Sequence, residues 1–356
     1  MPPLPPPSFR RESQRTAETL LIATAGGVAA AMTGFPAGLV MGSMLATACA
    51  ALAGRPMMVT LPVARASFVL VGILLGAVVT PDMVKGIADW PASVAILVVS
   101  ALVMFFATAC YLRFVHGWEP LSALLGASPG SMAQVMALSA EFNADLRGIA
   151  VVQVMRVLLI VIGLPAGLAL AGSTVAPSAV SRPPISLGEL AVLLVVSTAV
   201  AVMLQRVRFP GGLLFGALAG SAILHGTGLL TTTLPWWLGS AAIVTLGAVA
   251  GSRFANTSPR MLLGYLGAAL GSFAVATIVA ASFALIVVAF LPFRLADVVV
   301  AFAPGAQDTM MVLALALHLD PIYVGAHHLA RFLVVSFTVA FAARRMGRRP
   351  PKDRAQ

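Results

Sequence analysis

The stretch ASPGSMAQVMALSAEFNADLRGIAVVQVMRVLLIV at 127–161 has a second version, FAPGAQDTMMVLALALHLDPIYVGAHHLARFLVV, at 302–335. Rare residue types keep one register between the two versions, and the pairing extends upstream into glycine-containing segments. A constant offset over a hundred positions predicts an internal duplication. The pairs at an offset of 175 are Gly72 and Gly247, Gly76 and Gly251, Pro129-Gly130 and Pro304-Gly305, Asp145 and Asp320, and Arg156 and Arg331.

The composition argues against a soluble globular protein. Of 356 residues, 60% are hydrophobic and only 10% are charged, and the mean hydropathy is +0.99. Soluble domains carry about 25% charged residues. Long apolar runs recur from Thr19 to Phe341, each sufficient to cross a hydrocarbon core about 30 Å thick at about 1.5 Å per residue. The runs are continuous rather than alternating, so we predict an all-α polytopic membrane protein.

The duplication divides the chain into two membrane repeats. We predict a first repeat at 1–172, a linker at 173–186, a second repeat at 187–343 and a basic cytoplasmic tail at 344–356. Within each repeat we predict six apolar segments. They lie at 17–34, 36–53, 63–80, 91–115, 121–142 and 146–172, and at 187–205, 210–228, 236–252, 262–292, 297–317 and 321–343.

The loop charges favour five crossings per repeat. If the segment with each Pro-Gly pair enters the membrane and returns on the same side, most loop arginines face the cytoplasm, as the positive-inside rule requires. Twelve full crossings would divide those charges about evenly between the two sides. We therefore predict inverted repeats, a multi-pass topology and both termini in the cytoplasm.

Excess positive charge is concentrated at the C-terminus. The formal net charge is +10, and the basic tail is typical of a segment that lies against anionic lipid headgroups. A short, proline-broken stretch offers no folded basic element, so no nucleic-acid partner is expected. The two cysteines, Cys49 and Cys110, lie in apolar runs and are predicted to be small buried residues.

The two Pro-Gly pairs are predicted to interrupt helices inside the membrane. Proline removes a backbone donor and glycine permits open dihedral angles, and irregular backbone at membrane depth survives only where it lines a cavity or is buried by protein. Helix ends there carry partial charges that can bind a solute. The alternative is a proline kink between packed helices. The predicted substrate-binding residues are Pro129, Gly130, Ser131, Gln134, Pro304, Gly305, Gln307, Asp308, Thr309, Arg156 and Arg331.

Ionisable residues inside the apolar segments are further candidates. Asp308 lies in the second interruption, and Glu141 lies at the end of the segment that contains Pro129-Gly130. Arg156 and Arg331 are predicted to be counterions or anion ligands, with a structural salt bridge as the alternative. His328 is a candidate proton carrier or counterion beside Arg331, although packing or hydrogen bonding is the favoured role. The histidines, cysteines and carboxylates are not spaced as metal ligands, so no metal is expected.

The stretches at 127–161 and 302–335 resemble the AbrB duplication family of bacterial membrane proteins, labelled AbrB family regulators or ammonia monooxygenases. The resemblance implies a bacterial inner membrane and two related halves. The family pattern has a glutamate after its Pro-Gly-Gly, at the positions of Gln134 and Thr309, so Asp308 is the candidate substitute. By fold analogy alone, the layout also resembles cation/proton antiporters with crossed broken helices.

The residues favour transport over the family's two labels. A monooxygenase would need a cluster of histidine and carboxylate ligands, so we expect neither an enzyme nor a cofactor. Our primary hypothesis is a secondary transporter for a small polar or anionic solute, working by alternating access between the repeats. The alternative is a membrane regulator or sensor of gene expression without transport. The expected partners are the lipid bilayer and a small solute, and a homo-oligomer stays open.

Overall fold

A computed structural model describes residues 9–35, 37–79, 90–128, 132–142, 144–170, 186–255 and 257–347. Throughout these ranges the regular secondary structure is helical. Five of the helices (α4, α7, α8, α11 and α14) are long and apolar enough to cross a membrane, in agreement with the predicted class of helical membrane protein. The helices are α1 Phe9–Met32, α2 Gly38–Leu52, α3 Leu61–Gly76, α4 Pro91–His116, α5 Pro120–Ala127, α6 Met132–Glu141, α7 Leu146–Leu170, α8 Leu187–Arg206, α9 Gly212–Gly226, α10 Trp236–Ser252, α11 Pro259–Phe290, α12 Leu295–Phe302, α13 Gln307–Ala316 and α14 Pro321–Gly347.

Each predicted segment with a Pro-Gly pair contains two short helices instead of one long helix. The first segment is divided into α5 and α6, and the second into α12 and α13. Pro304 explains the second interruption, because proline has no N–H and its ring clashes with the preceding helical turn. Ala303 before it is extended, with φ −55° and ψ 139°. Pro129, Gly130 and Ser131 of the first interruption lie outside the described residues.

The described residues form two compact units. The first is drawn from Met1–Gly86, Pro165–Ser258 and Met311–Ile322 and contains α1 to α3 and α8 to α10. In it α1 packs on α2, α8 on α9, α2 on α10, and α3 on α9. The list of packed pairs is unchanged when α1, α2 and α3 are exchanged for α8, α9 and α10. The duplication itself stays a prediction.

Glycines allow close approach between helices of this unit. A Cβ atom added to Gly72 of α3 would meet the carbonyl oxygen of Leu214 on α9. One added to Gly251 of α10 would lie 2.5 Å from the carbonyl oxygen of Met44 on α2. Such contacts are too short for any side chain, so glycine at these positions lets the helices cross closely.

The second unit contains the first interrupted segment, the second one as far as Met310, and the parts of α7 and α14 that bear the two arginines. It is drawn from Ile87–Leu164, Pro259–Met310 and Tyr323–Gln356. In it α4 packs on α11 through Met104 and the small residues Ala276 and Ala280. Helix α4 also packs on α5, and α11 on α12. The broken segments are thereby attached to the two long helices, and the candidate site lies within this unit.

Four of the apolar helices are shorter than a straight membrane crossing, so five crossings per repeat stay a prediction. Helices α2, α3, α9 and α10 contain 15 to 17 residues, or about 23 to 26 Å at about 1.5 Å per residue. A straight crossing needs about 30 Å. Five crossings per repeat would therefore require a locally thinner bilayer or flanking residues that complete the crossing.

Two local predictions differ from the structure. Cys49 on α2 and Cys110 on α4 are exposed; because lipid is as apolar as the protein interior, hydrophobic sequence does not distinguish the two faces of a membrane helix. The last helix also extends past 343 to include Arg344 and Arg345, where positive charge is favourable at a helix C-terminus.

Candidate functional site

The end of α12 presents backbone carbonyl groups that need donors. The last four carbonyls of a helix have no N–H partner within it, and Pro304 has none to offer. Ala303, Pro304 and Gly305 are buried. Since an unpaired buried carbonyl costs about 1–3 kcal/mol, side chains from a neighbouring helix must satisfy these groups.

Arg331 on α14 supplies two of the donors. Its side chain is only 2% exposed. Nη1 donates to the carbonyl oxygen of Ala303, and Nη2 donates to the carbonyl oxygen of Gly305 at 3.0 Å. A positive charge is favourable here, because the C-terminal end of a helix carries about half a negative charge. One guanidinium thus bonds to residues on both sides of Pro304.

His328 completes the second interruption. Its Nδ1 lies 2.5 Å from Nη2 of Arg331, and its Nε2 lies 3.0 Å from the carbonyl oxygen of Val300. Because a guanidinium only donates, Nδ1 accepts and Nε2 carries the hydrogen. This tautomer is neutral, which gives His328 a hydrogen-bonding role in the structure. The proton-carrying role stays a prediction.

The first interruption is held by matching positions. Nη2 of Arg156, on α7, donates to the carbonyl oxygen of Ser128 at 3.0 Å. Nη1 reaches the carbonyl oxygen of Ala127 at a longer 3.5 Å. Gln153, three residues before Arg156, donates from Nε2 to the carbonyl oxygen of Leu125 at 3.2 Å. The arginine side chain is 7% exposed, so it too is buried.

These contacts repeat at the offset of 175. Ser128 matches Ala303 as the acceptor of the arginine, and Gln153 matches His328 as the second donor, onto Leu125 and Val300 respectively. The sequence analysis did not single out Gln153, because its residue type differs from that of His328. The signal that could have found it is an N–H donor three residues before each buried arginine.

The arginines bond to carbonyl oxygens where carboxylates were expected. Within the described residues their hydrogen bonds go to carbonyls and to His328. Glu141 is exposed at the end of α6, and Asp308 accepts a hydrogen bond from the N–H of Thr309 at 2.9 Å. Partial negative charge at the helix ends offsets part of the charge of each arginine, and the roles of Glu141 and Asp308 as counterions stay predictions. The charges of Arg156 and Arg331 also act on each other.

A buried polar cluster fastens α14 to the start of α4. Oγ of Ser93 lies 2.5 Å from Nε2 of His327 and 3.1 Å from the hydroxyl oxygen of Tyr323. Nδ1 of His327 lies 2.7 Å from the carbonyl oxygen of Tyr323, and the two rings are 4.0 Å apart. All three side chains are buried. Sequence analysis missed Ser93 and Tyr323, because neither stands out among the small and aromatic residues of the apolar runs.

The remaining predicted residues are only partly brought together. Pro304 and Gly305 lie against Arg331, while Gln307, Asp308 and Thr309 form the first turn of α13. The side chain of Gln134 lies outside the described residues, as do Pro129, Gly130 and Ser131. Among the residues that are described, no three His, Cys, Asp or Glu side chains are grouped so as to bind a metal ion.

An open groove of about 780 Å³ lies elsewhere, on α8 of the first unit. One helix contributes the whole lining, which is mostly apolar. Such a surface is typical of a helix that faces lipid, so we do not assign the groove to a solute. It is lined by Leu194, Val195, Thr198, Ala199, Val202, Met203, Arg206 and Val207.

The fold and the site define a helical membrane protein with interrupted helices whose ends are bound by buried arginines. A sequence profile described as transition state regulatory protein AbrB matches residues 39–347. The match covers most of the chain and includes both interrupted segments. The chain belongs to the AbrB family, in agreement with the resemblance seen in the sequence.

Two curated relatives are similar over nearly the whole chain. The uncharacterized protein YhjN of Bacillus subtilis (strain 168) is 24% identical over 348 aligned positions, and the alignment covers 89% of this chain and 89% of the relative. A protein of Escherichia coli (strain K12), named as a candidate regulator, AbrB, is 26% identical over 336 aligned positions, and the alignment covers 90% of this chain and 93% of the relative.

Proposed function

We propose that the chain is a secondary transporter for a small anionic or polar solute, working by alternating access. The observation that carries the proposal is the pair of buried arginines at interrupted helices, Arg156 and Arg331. Interrupted helices are where transporters of this kind bind solutes. Each guanidinium carries a full positive charge, whereas a helix end offers about half a negative charge. The remaining positive charge favours a solute with an anionic group.

The proposed transport cycle needs the two halves to be inverted repeats. We propose five crossings per half, a bacterial inner membrane and cytoplasmic termini, supported by the distribution of loop arginines. No covalent chemistry is part of the proposal, and neither is a metal or cofactor. Binding and release of a solute at the interrupted helices are sufficient for the function.

The test is solute flux into proteoliposomes that contain the purified full chain. Radiolabelled acetate and phosphate serve as anionic probes, and empty liposomes serve as the control. We expect uptake of at least one probe, and we expect Arg331→Gln to abolish it while the variant still accumulates as folded protein. Intact flux in Arg331→Gln, with only lower expression, would contradict the role of this arginine in the site.

Asp308 is the proposed carrier of a coupling proton. It lies in the first turn of α13, beside the second interruption, and a carboxylate within an apolar segment is costly unless it is paired, hydrated or protonated. Flux should therefore depend on pH, and Asp308→Asn should flatten the dependence. A variant with an unchanged pH profile would place the coupling on another residue.

A second candidate function is a membrane regulator or sensor of gene expression. The name of the Escherichia coli relative favours it. A sensor would bind solute at the same site without net movement across the membrane. Binding of a probe to the purified protein, combined with no flux of that probe in proteoliposomes, would therefore favour the sensor and contradict the transporter.

A further inference from the structure

The two buried arginines differ in how much of their hydrogen-bonding capacity the protein uses. A guanidinium carries five N–H donors and no acceptor. Arg331 makes three hydrogen bonds, two of them to carbonyls and one to an imidazole nitrogen. Arg156 makes two with described residues, and one of these is stretched to 3.5 Å. Arg156 therefore has more unused hydrogen-bonding capacity than Arg331.

Nε of Arg156 is a buried donor without a partner among the described residues. Because only 7% of Arg156 is exposed, bulk water does not hydrate this N–H. Leaving a buried donor of a charged group unpaired is expensive, and such donors are rare in native structures. A ligand atom that accepts from Nε would remove the cost.

The local charge selects an anion as that ligand. The charge of Arg331 acts on the same region, and within the described residues no carboxylate oxygen accepts from either guanidinium. His328 accepts from Arg331 and is therefore neutral, so it adds no charge to the site. A planar oxyanion matches the planar donor edge of a guanidinium, which binds such groups through two parallel hydrogen bonds.

We propose that Arg156 is the ligand-binding arginine of the site, and that Nε and its neighbouring Nη hydrogens bind a planar oxyanion of the small-carboxylate class. Arg331 is mainly a positioning residue that holds the second interruption together. The inference rests on the proposed function for its solute and narrows that solute to a carboxylate. It also assigns different roles to two arginines that occupy matching positions.

The test measures anion affinity of the full chain, purified in detergent, by titration calorimetry. Acetate is the probe, nitrate is a second planar oxyanion and chloride is the spherical control, each up to about 10 mM. Arg156→Lys keeps the charge but lacks the planar donor edge. We expect it to weaken acetate binding by about tenfold or more, and we expect chloride to bind more weakly than acetate.

Gln153→Ala is the matched control. Gln153 lies one turn before Arg156 on the same helix and donates to the same interruption, at Leu125, but we do not place it in contact with the anion. The variant should melt at a lower temperature while its acetate affinity changes less than about twofold. Arg331→Lys should lower the melting temperature more than Arg156→Lys and weaken acetate binding at least about fivefold less.

The outcomes separate this inference from the transport proposal. Unchanged acetate affinity in Arg156→Lys, equal losses in the two lysine variants, or equal binding of chloride and acetate would each overturn the assigned roles. Flux of a neutral solute without any binding of acetate or nitrate would overturn the oxyanion site and leave transport standing. Acetate binding that is lost in Arg156→Lys, without flux, would support the site and contradict transport.

Discussion

The first and second interruptions achieve the same hydrogen bonding with different side chains. In the first, Gln153 and Arg156 donate to the end of α5. In the second, His328 and Arg331 donate to the end of α12 and to the residues around Pro304. The arginine is the same in both, whereas an amide in one half is replaced by an imidazole in the other.

The carbonyl groups at the two helix ends therefore require a hydrogen-bond donor, but not a particular type of residue. Any side chain with an N–H at the correct reach satisfies Leu125 or Val300. The imidazole does more than the amide, because its second nitrogen also accepts from Arg331. The second interruption is therefore the more tightly connected, and the first retains a donor, Nε of Arg156, for other use.

The largest expected effect concerns the side of the membrane on which the loops after the first interruption and after α8 lie. Arg147 and Arg206 are exposed, and inverted repeats with five crossings put both in the cytoplasm, whereas twelve crossings put both outside. Each is replaced by cysteine in a background with Cys49→Ala and Cys110→Ala. We expect an impermeant thiol reagent to label both only from the cytoplasmic side. Labelling of either from outside would contradict the inverted arrangement.

The next largest effect is expected for loss of Arg331. Arg331→Ala leaves two buried carbonyls and Nδ1 of His328 without their donor, so we expect a loss on the order of 3 kcal/mol or more in the free energy of unfolding. Arg156→Ala removes one short and one long bond and should cost on the order of 1–2 kcal/mol. Unfolding in detergent measures both. Equal losses would show that the second interruption is not the more tightly connected.

The sequence predicted where the interruptions and their arginines lie, because Pro-Gly pairs and charged residues are conspicuous in apolar runs. It did not predict what the arginines touch. Asp308 and Glu141 were the visible negative charges, whereas the partners are carbonyl groups, which every residue carries and which become acceptors only where a helix ends. For the same reason Gln153 was missed: its role depends on the position of Leu125 in space.

A moderate effect is expected for the polar cluster of Ser93, Tyr323 and His327. Ser93→Ala removes the hydrogen bond to Nε2 of His327 and leaves that nitrogen buried, at a cost of about 1–3 kcal/mol. We expect Ser93→Ala to melt at a lower temperature and to leave the pH dependence of solute flux unchanged. The positions that match Ser93, Tyr323 and His327 are occupied by Ala268, Gly148 and Val152, so Val152→Ala is the control in the other half.

For the control, Val152→Ala removes only apolar contacts and should cost about 0.5–1.5 kcal/mol, in the range of a small core truncation. If Ser93→Ala is no more destabilising than Val152→Ala, the polar cluster contributes nothing beyond packing. Conversely, a change in pH dependence of flux in Ser93→Ala would show that His327 takes part in proton movement, which the present geometry does not require.

The smallest effects are expected for exchanging the second donors. His328→Gln keeps an N–H for Val300, and the amide oxygen can accept from Arg331 in place of Nδ1, so we expect a loss of about 1 kcal/mol or less. Gln153→His supplies the same two functions to Leu125 and Arg156 and should cost equally little.

His328→Ala is the control that removes the donor altogether; it leaves Val300 unpaired and should cost about 1–3 kcal/mol. Unfolding midpoints in detergent rank the three variants. If His328→Gln is as damaging as His328→Ala, the imidazole has a role that an amide cannot fill, and the two interruptions are not interchangeable in the way their contacts indicate.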